Sequence, residues 1–282
     1  MKEFGVDISK WQGAFDFDAA IAEGVKFAVL KGGGGDDGLY TDGRFVRNYK
    51  EAKARALPVG VYWFSRALTV EDAQREAEYC YRAILKGRQF ELPVYMDVED
   101  RAQLAIGKDL LTEVITAWCD YLAERGYYVG VYSTANCFAR NMHDDRLKKY
   151  THWIAYWGTK CNYTDASCLG MWQFGGDVNL LRDAKVAGVV CDQNYMLVDF
   201  PSIIRAAGLN GFAAEKPSGG EAEADARDNE PDGWARDAVN FAVKNKILYG
   251  DEHGNYKLHS GCTRQEMLIF LYRYYKLLKK EN

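Results

Sequence analysis

No run of about 18 consecutive apolar residues occurs in the 282-residue chain, so nothing in it reads as a membrane-spanning helix. The opening segment, MKEFGVDISKW, has no apolar core of the kind a secretory signal carries. A chain without a cleavable leader is therefore expected. Basic residues are outnumbered, 36 Lys and Arg against 40 Asp and Glu, and they form no stripe. Nucleic acid is not an expected partner, because binding a polyanion needs clustered cations to displace counterions. There are four histidines, His143, His152, His253 and His259, without ligand spacing, and seven cysteines without a C-x-x-C pair, so no metal or cofactor is expected. The odd cysteine count reads as mainly reduced, buried thiols, with a Cys161–Cys168 bridge as the local alternative. Gly32 to Gly35 form a glycine run but lack the lysine and hydroxyl that complete a phosphate loop, and no G-x-S-x-G nucleophile elbow occurs.

Core-forming material is plentiful, with 48% of residues apolar and 14% aromatic. From residue 4 to about 208, short β-branched and aromatic runs alternate with longer helical patterns, as in strands joined by helical crossovers of a parallel sheet. The strand runs are FGVDIS, FAVLKG, VGVYWFS, PVYMDVE, YVGVYST, HWIAYW, LGMWQF and GVVCDQNYM. Eight strands are enough to close a barrel. Apolar residues recur at helical spacing in DGRFVRNYKEAKARA, VEDAQREAEYCYRAILKG and KDLLTEVITAWCDYLAERG. Between the last three strand runs the intervals are too short for a helix plus two loops. The expected fold is an α/β protein with an irregular, TIM-like (β/α) barrel and fewer than eight outer helices.

Residues 209–229 are rich in Gly, Pro, Ala and acids and lack an amphipathic period, which reads as a linker after a barrel domain spanning 1–208. Residues 230–282 then carry two helical patterns, WARDAVNFAVKNKILYG and TRQEMLIFLYRYYKLLKK, around a turn-rich DEHGNYKLHSGC segment. Thr263, three residues before Glu266, is placed to cap the second. This is a small helical module.

In a closed parallel barrel, chemistry gathers at the C-terminal strand ends. Asp7 belongs to the first strand run, Asp97 and Glu99 to PVYMDVE, and Asp192 to the last run. The two-residue period of a strand puts Asp97 and Glu99 on one face, where two carboxyl groups can flank one bond. Like charges held close raise one another's pKa, which suits Glu99 as a general acid. Aromatics crowd the same strand ends, and Trp11, Tyr62, Tyr132, Tyr156 and Trp172, with the amides Gln12 and Gln173, are candidates for stacking on sugar rings and bonding their hydroxyls.

With GVDISKWQG, FAVLKG, GVYWFS, YMDVED, GVYST, WIAYW and WQF in this order, residues 4 to 208 resemble glycoside hydrolase family 25, the Chalaropsis-type lysozymes. The resemblance implies a barrel of eight strands and about five helices, and cleavage between N-acetylmuramic acid and N-acetylglucosamine with retention. It also implies Glu99 as general acid, Asp97 as nucleophile or as the group that orients the acetamido substituent, and Asp7 and Asp192 as supporting acids. Residues 230–282 resemble a single S-layer homology repeat, which implies attachment to a secondary cell-wall polymer with Arg264 as an anion contact. The combined expectation is a peptidoglycan hydrolase, read as a phage or prophage endolysin, with an exported autolysin as alternative. Two further readings are a glycan-binding protein without hydrolysis, disfavoured by retention of both Asp97 and Glu99, and a C-terminal module that builds a homo-oligomer.

Overall fold

The computed structural model describes residues 2–35, 38–163, 165, 167–214, 228–251, 253–262 and 264–279, with backbone only at 264 and 265. The chain divides into two units, Met1–Glu215 and Lys216–Asn282. In the first, the strands are β1 (Glu3–Ile8), β2 (Phe27–Gly34), β3 (Tyr40–Thr41), β4 (Val59–Phe64), β5 (Val94–Asp97), β6 (Val129–Thr134), β7 (Thr151–Ala155), β8 (Leu169–Gly175), β9 (Lys185–Val186), β10 (Val189–Val190) and β11 (Asp192–Met196). Eight of them close a barrel in the order β1-β11-β8-β7-β6-β5-β4-β2, with β2 returning to β1.

Seven barrel strands run the same way; β11 is antiparallel to both of its neighbours. This corrects the expectation of a parallel last strand. The run GVVCDQNYM is broken at Cys191 into β10, which pairs with β9 as a hairpin, and β11, which turns back into the barrel. Because β11 is reversed, its first residue, not its last, lies at the open end, and Asp192 stands directly opposite Asp7.

The helices are α1 (Phe17–Ala22), α2 (Phe45–Ala54), α3 (Val70–Tyr79, continued by a π-helical turn over Cys80–Leu85), α4 (Arg101–Leu104), α5 (Lys108–Ala123), α6 (Ala135–Arg140), α7 (Asp144–Leu147) and α8 (Phe200–Ala206). Among the described residues this unit thus has eight α-helices, besides a 3-10 turn at Lys10–Gln12, rather than about five, because short stretches are held helical by caps. Asp16, Thr69, Asp100, Thr134 and Asp199 each accept backbone N–H groups at a helix start. Among the described residues, no full helix separates β7 from β8 or β8 from β11. The six cysteines of this unit, Cys161 and Cys168 among them, are unbridged thiols.

Alternation along the strands builds two apolar layers. Outward residues such as Val6, Leu30, Val61, Val131 and Trp172 pack against the helices. Inward residues Phe27, Val29, Tyr95, Tyr132, Trp153, Met171 and Met196 fill the barrel, joined from below by Phe200 and Ile204 of α8. Two glycines make room for rings: a Cβ on Gly5 would lie 2.5 Å from the Phe27 ring, and one on Gly130 2.5 Å from the ring of Tyr95. The floor is closed by Asn210, fully buried with φ at 54°, which donates from its side chain to the Phe90 and Leu92 carbonyls and accepts from Tyr128 N–H. Leu209 and Phe212 pack on the inner core as well. The barrel therefore continues past the boundary at 208 that composition indicated; most of the expected linker, from 215 to 227, lies outside the described residues.

In the second unit, α9 (Arg236–Lys244) and α10 (Arg264–Leu278) occupy the two expected helical patterns. Ile247 is the buried apolar residue here among the described residues, whereas Trp234, Met267, Leu268, Leu271 and Tyr272 are exposed. Thr263 and the side chain of Arg264 lie outside the described residues.

Candidate active site

At the open end of the barrel, four acids from the ends of three strands gather at one amide. Gln173 of β8 points inward; its Oε1 accepts from Tyr132 Oη and from Trp157 Nε1, both at 3.0 Å. With the oxygen so engaged, the amide nitrogen must face the other way, where it donates to Asp7 Oδ2 at 3.0 Å and reaches Asp192 Oδ2 at 3.5 Å. Asn194 is oriented by the same logic: its Oδ1 accepts from Trp153 Nε1 at 2.8 Å and its nitrogen donates to Asp7 Oδ2 at 2.8 Å. Burial pushes Asp7 up to about 6, against the pull of these two donors. Asp192 has only the long contact with Gln173, and burial and then the Asp7 charge push it up to about 8. The facing pair thus binds a proton more tightly than separate carboxylates would, and the proton belongs to the pair.

Asp97 ends β5 and is buried, and its Oδ1 has no hydrogen-bond partner. Burial first, and then the neighbouring Glu99 charge, raise its pKa well above the usual carboxylate range. Glu99 lies two residues beyond the strand, at the exposed rim. The alternation nevertheless carries on: Val98 is buried in the outer layer with its N–H bonded to the Tyr132 carbonyl, so Asp97 and Glu99 share the inner side. Glu99 is also raised, by desolvation, and Lys31 opposes the shift. Lys31, on the inward face of β2, holds its Nζ 5.7 Å from the Tyr62 ring centroid and 4.7 Å from that of Phe64, the register partner of Asp97. A cleft of about 250 Å³ runs from Glu99 past Tyr132 and Thr134 to Trp157 and Gln173. Beneath the acids, Trp153 packs on Tyr132 at 4.4 Å, Tyr95 at 5.1 Å and Tyr62 at 6.1 Å between ring centroids. Burial and then the surrounding carboxylates hold the Tyr62 and Tyr132 phenols far above their ordinary pKa, so both remain O–H donors.

A rim acid beside a cleft, with a buried acid two residues before it, is an arrangement suited to acid-catalysed hydrolysis, and residues 6–181, more than half of the chain, match the sequence profile of glycosyl hydrolases family 25. The chain belongs to that family. Among its relatives is the autolytic lysozyme of Clostridium acetobutylicum, 32% identical over 177 residues that cover 62% of this chain and 52% of the relative. The chain spans about half the length of the curated relatives it matches. Two solved structures share the fold: a bacterial lysozyme from Streptomyces coelicolor, with TM-score 0.61, 22% identity and coverage of 76% of this chain and 98% of that one, and the CTP1L endolysin, with TM-score 0.63, 18% identity and coverage of 97% and 99%.

Within this family 25 barrel the structure sorts the residues that the sequence put forward. Asp7, Asp97, Glu99 and Asp192 meet at the mouth, and Tyr62, Tyr132 and Gln173 line it. Trp11 stands on the turn after β1, largely exposed. Three others face elsewhere. Trp172 is in the outer layer, edge-on to Phe174 and tilted against Tyr195, and Tyr156 packs on that layer too, because each is one residue out of phase with an inward neighbour. Gln12 is a structural amide: its Oε1 accepts Ser9 N–H and its nitrogen donates to the Val190 carbonyl, tying the turn to the β9–β10 hairpin. Trp157, one of the aromatics that crowd the strand ends in the sequence, is a wall of the cleft, whereas Asn194 and Lys31 were missed by sequence reasoning. Asn194 is two residues from Asp192, and the two-residue strand period would have found it.

Proposed function

We propose that this chain is a peptidoglycan hydrolase that cleaves the β-1,4 bond between N-acetylmuramic acid and N-acetylglucosamine with retention at the anomeric carbon. The observation that carries the reading is the buried Asp97, with one oxygen unpartnered, beneath the rim carboxyl of Glu99. Glu99, whose hold on its proton desolvation strengthens, acts as the general acid that protonates the glycosidic oxygen as that bond breaks. A buried acceptor left empty costs about 1–3 kcal/mol, and an acetamido N–H entering above Asp97 Oδ1 removes that cost. This bond turns the acetamido carbonyl oxygen toward the anomeric carbon, where its attack forms an oxazolinium. Water, deprotonated by Glu99, then opens the ring with net retention. Asp7 and Asp192, through Gln173, hold the pocket's charge and shape, and Trp11, Trp157, Tyr62 and Tyr132 supply the faces and hydroxyls that sugars meet.

The site of action in this reading is the bacterial wall, as for the autolytic lysozyme among the relatives, and fold likeness over nearly the whole chain to an endolysin supports an endolysin role. No helix among the described residues is long and apolar enough to cross a membrane. The second unit is assigned as a wall-binding module. It contains a cavity of about 490 Å³ whose lining includes Tyr249, Tyr256, Lys257 and Arg273, aromatic and cationic groups suited to an anionic saccharide. Its exposed apolar side chains favour self-association as a second reading, which the mass of the full chain in solution tests.

Digestion of purified peptidoglycan, followed by borohydride reduction and mass spectrometry, tests the enzymatic reading directly. Reduced muramic acid at the new termini is the expected product. Reduced glucosamine termini would reassign the bond, and the absence of any product would favour a glycan-binding protein.

A further inference from the structure

On the side of the mouth formed by the ends of β2 and β4, a second cavity of about 470 Å³ opens beside α3. Phe64 joins it to the acids: its ring carries Lys31 Nζ at 4.7 Å and the guanidinium of Arg66, which lines the second cavity, at 5.6 Å. Its floor is rigid. Glu76 is buried, accepting Trp63 Nε1 and the Arg66 N–H, both at 3.0 Å. A Cβ on Gly35 would lie 2.1 Å from Glu76 Oε1, so the glycine lets the strand end close over that carboxylate. The lip is mixed in chemistry: Arg66 faces Asp100 at 3.5 Å, Arg75 pairs with Asp72, and Leu39 and Leu68 are exposed between them.

The geometry points to a subsite for the peptide branch of the glycan substrate. The Arg75–Asp72 pair lies at the exposed lip and contributes little, and Arg66 meets Asp100 only at 3.5 Å, so both guanidinium groups can turn to carboxylates of a ligand, which they bind bidentately. Asp72, released in the exchange, then meets a ligand ammonium, and Leu39 and Leu68 meet small apolar side chains. A short peptide with free carboxylates, an amine and alanine-sized side chains satisfies all three demands. The inference rests on the muramidase reading above, because a muramic acid held over Asp97 carries such a peptide on its lactyl group, and Phe64, the register partner of Asp97, leads from there to Arg66.

The test compares the full-length enzyme on two substrates: glycan strands bearing their stem peptides, and the same strands stripped of stems by an amidase. The wild type is expected to show a KM about tenfold lower on the stem-bearing strands, and in the Arg66→Ala/Arg75→Ala double variant the two KM values should converge. Both arginines are exposed enough for the variant to fold, which circular dichroism checks. Equal KM values in the wild type, or a preference that survives in the variant, would overturn the subsite while leaving the muramidase intact. Failure of the wild type to cut either substrate would overturn both.

Discussion

In the lower half of the barrel interior, large rings face gaps, Phe27 against Gly5 and Tyr95 against Gly130, while Phe200 and Ile204 close the floor. One turn of side chains higher, acids face acids: Asp192 stands opposite Asp7, Glu99 above Asp97, and Asp97 Oδ1 lacks any partner. Both halves use the same strands and the same alternation, so the difference lies entirely in side-chain chemistry. The lower half lowers the free energy of the fold by filling space; the upper half raises it by burying charge, and persists because the rest of the barrel tolerates the cost. Substitutions in the two halves should therefore fail in different ways.

The largest effect is expected from Glu99→Gln, which removes the transferable proton: turnover of peptidoglycan should fall about 10³-fold, with stability within about 0.5 kcal/mol of wild type. Residual activity near the wild-type level would remove Glu99 from the chemistry. Gly130→Ala should do the reverse, costing about 3 kcal/mol through its contact with the Tyr95 ring, read as a lower urea midpoint. An unchanged midpoint would show that the floor has slack.

Asp97→Asn sharpens the contrast because it should stabilise and inactivate together. The gain should be about 1–2 kcal/mol at pH 7.5. The sign follows from the raised carboxyl groups: with Asp97 well above its ordinary range, Asp7 near 6 and Asp192 near 8, the folded state binds protons more tightly than the unfolded. The stabilisation they bring is complete below their unfolded pKa, about 4, and is lost as pH rises through the folded values. Calorimetry should then show the wild-type Tm falling between pH 5 and 8, and the advantage of Asp97→Asn growing over the same range. A wild-type Tm that climbed with pH would contradict it. The smallest effect concerns Lys31→Met. Removing the cation that opposes the rise of Glu99 should shift the alkaline limb of kcat/KM to higher pH, and an unmoved limb would mean that its charge is not felt there.

How far the fold could be read in advance differs from element to element. PVYMDVE and VGVYWFS are apolar on both faces, as strands between two layers must be, and their place in the chain was legible from composition alone. The reversed β11 was not. Its direction depends on Cys191 breaking the run and on the β9–β10 hairpin, neither of which leaves a periodic signal. Tyr156 and Trp172 show the opposite limit: aromatics near a strand end are easy to see, but a one-residue change of phase decides between cleft and outer layer, and phase is set by neighbouring strands. Lys31 carried no signal at all, since one lysine in an apolar run is commonly a solvated end. The linker boundary failed because Asn210, a turn-forming residue type, serves as the barrel's floor.

By itself the sequence determined the alternation of strands and helices, the presence of carboxylates at strand ends and the family to which the chain belongs, because these depend on local periodicity and on residue type. Tertiary structure alone decided which carboxylates face one another, which amide orients them and which oxygen is left without a partner. Those depend on strand direction and on register across a closed barrel, where Asp192 meets Asp7 only because one strand in eight runs backward.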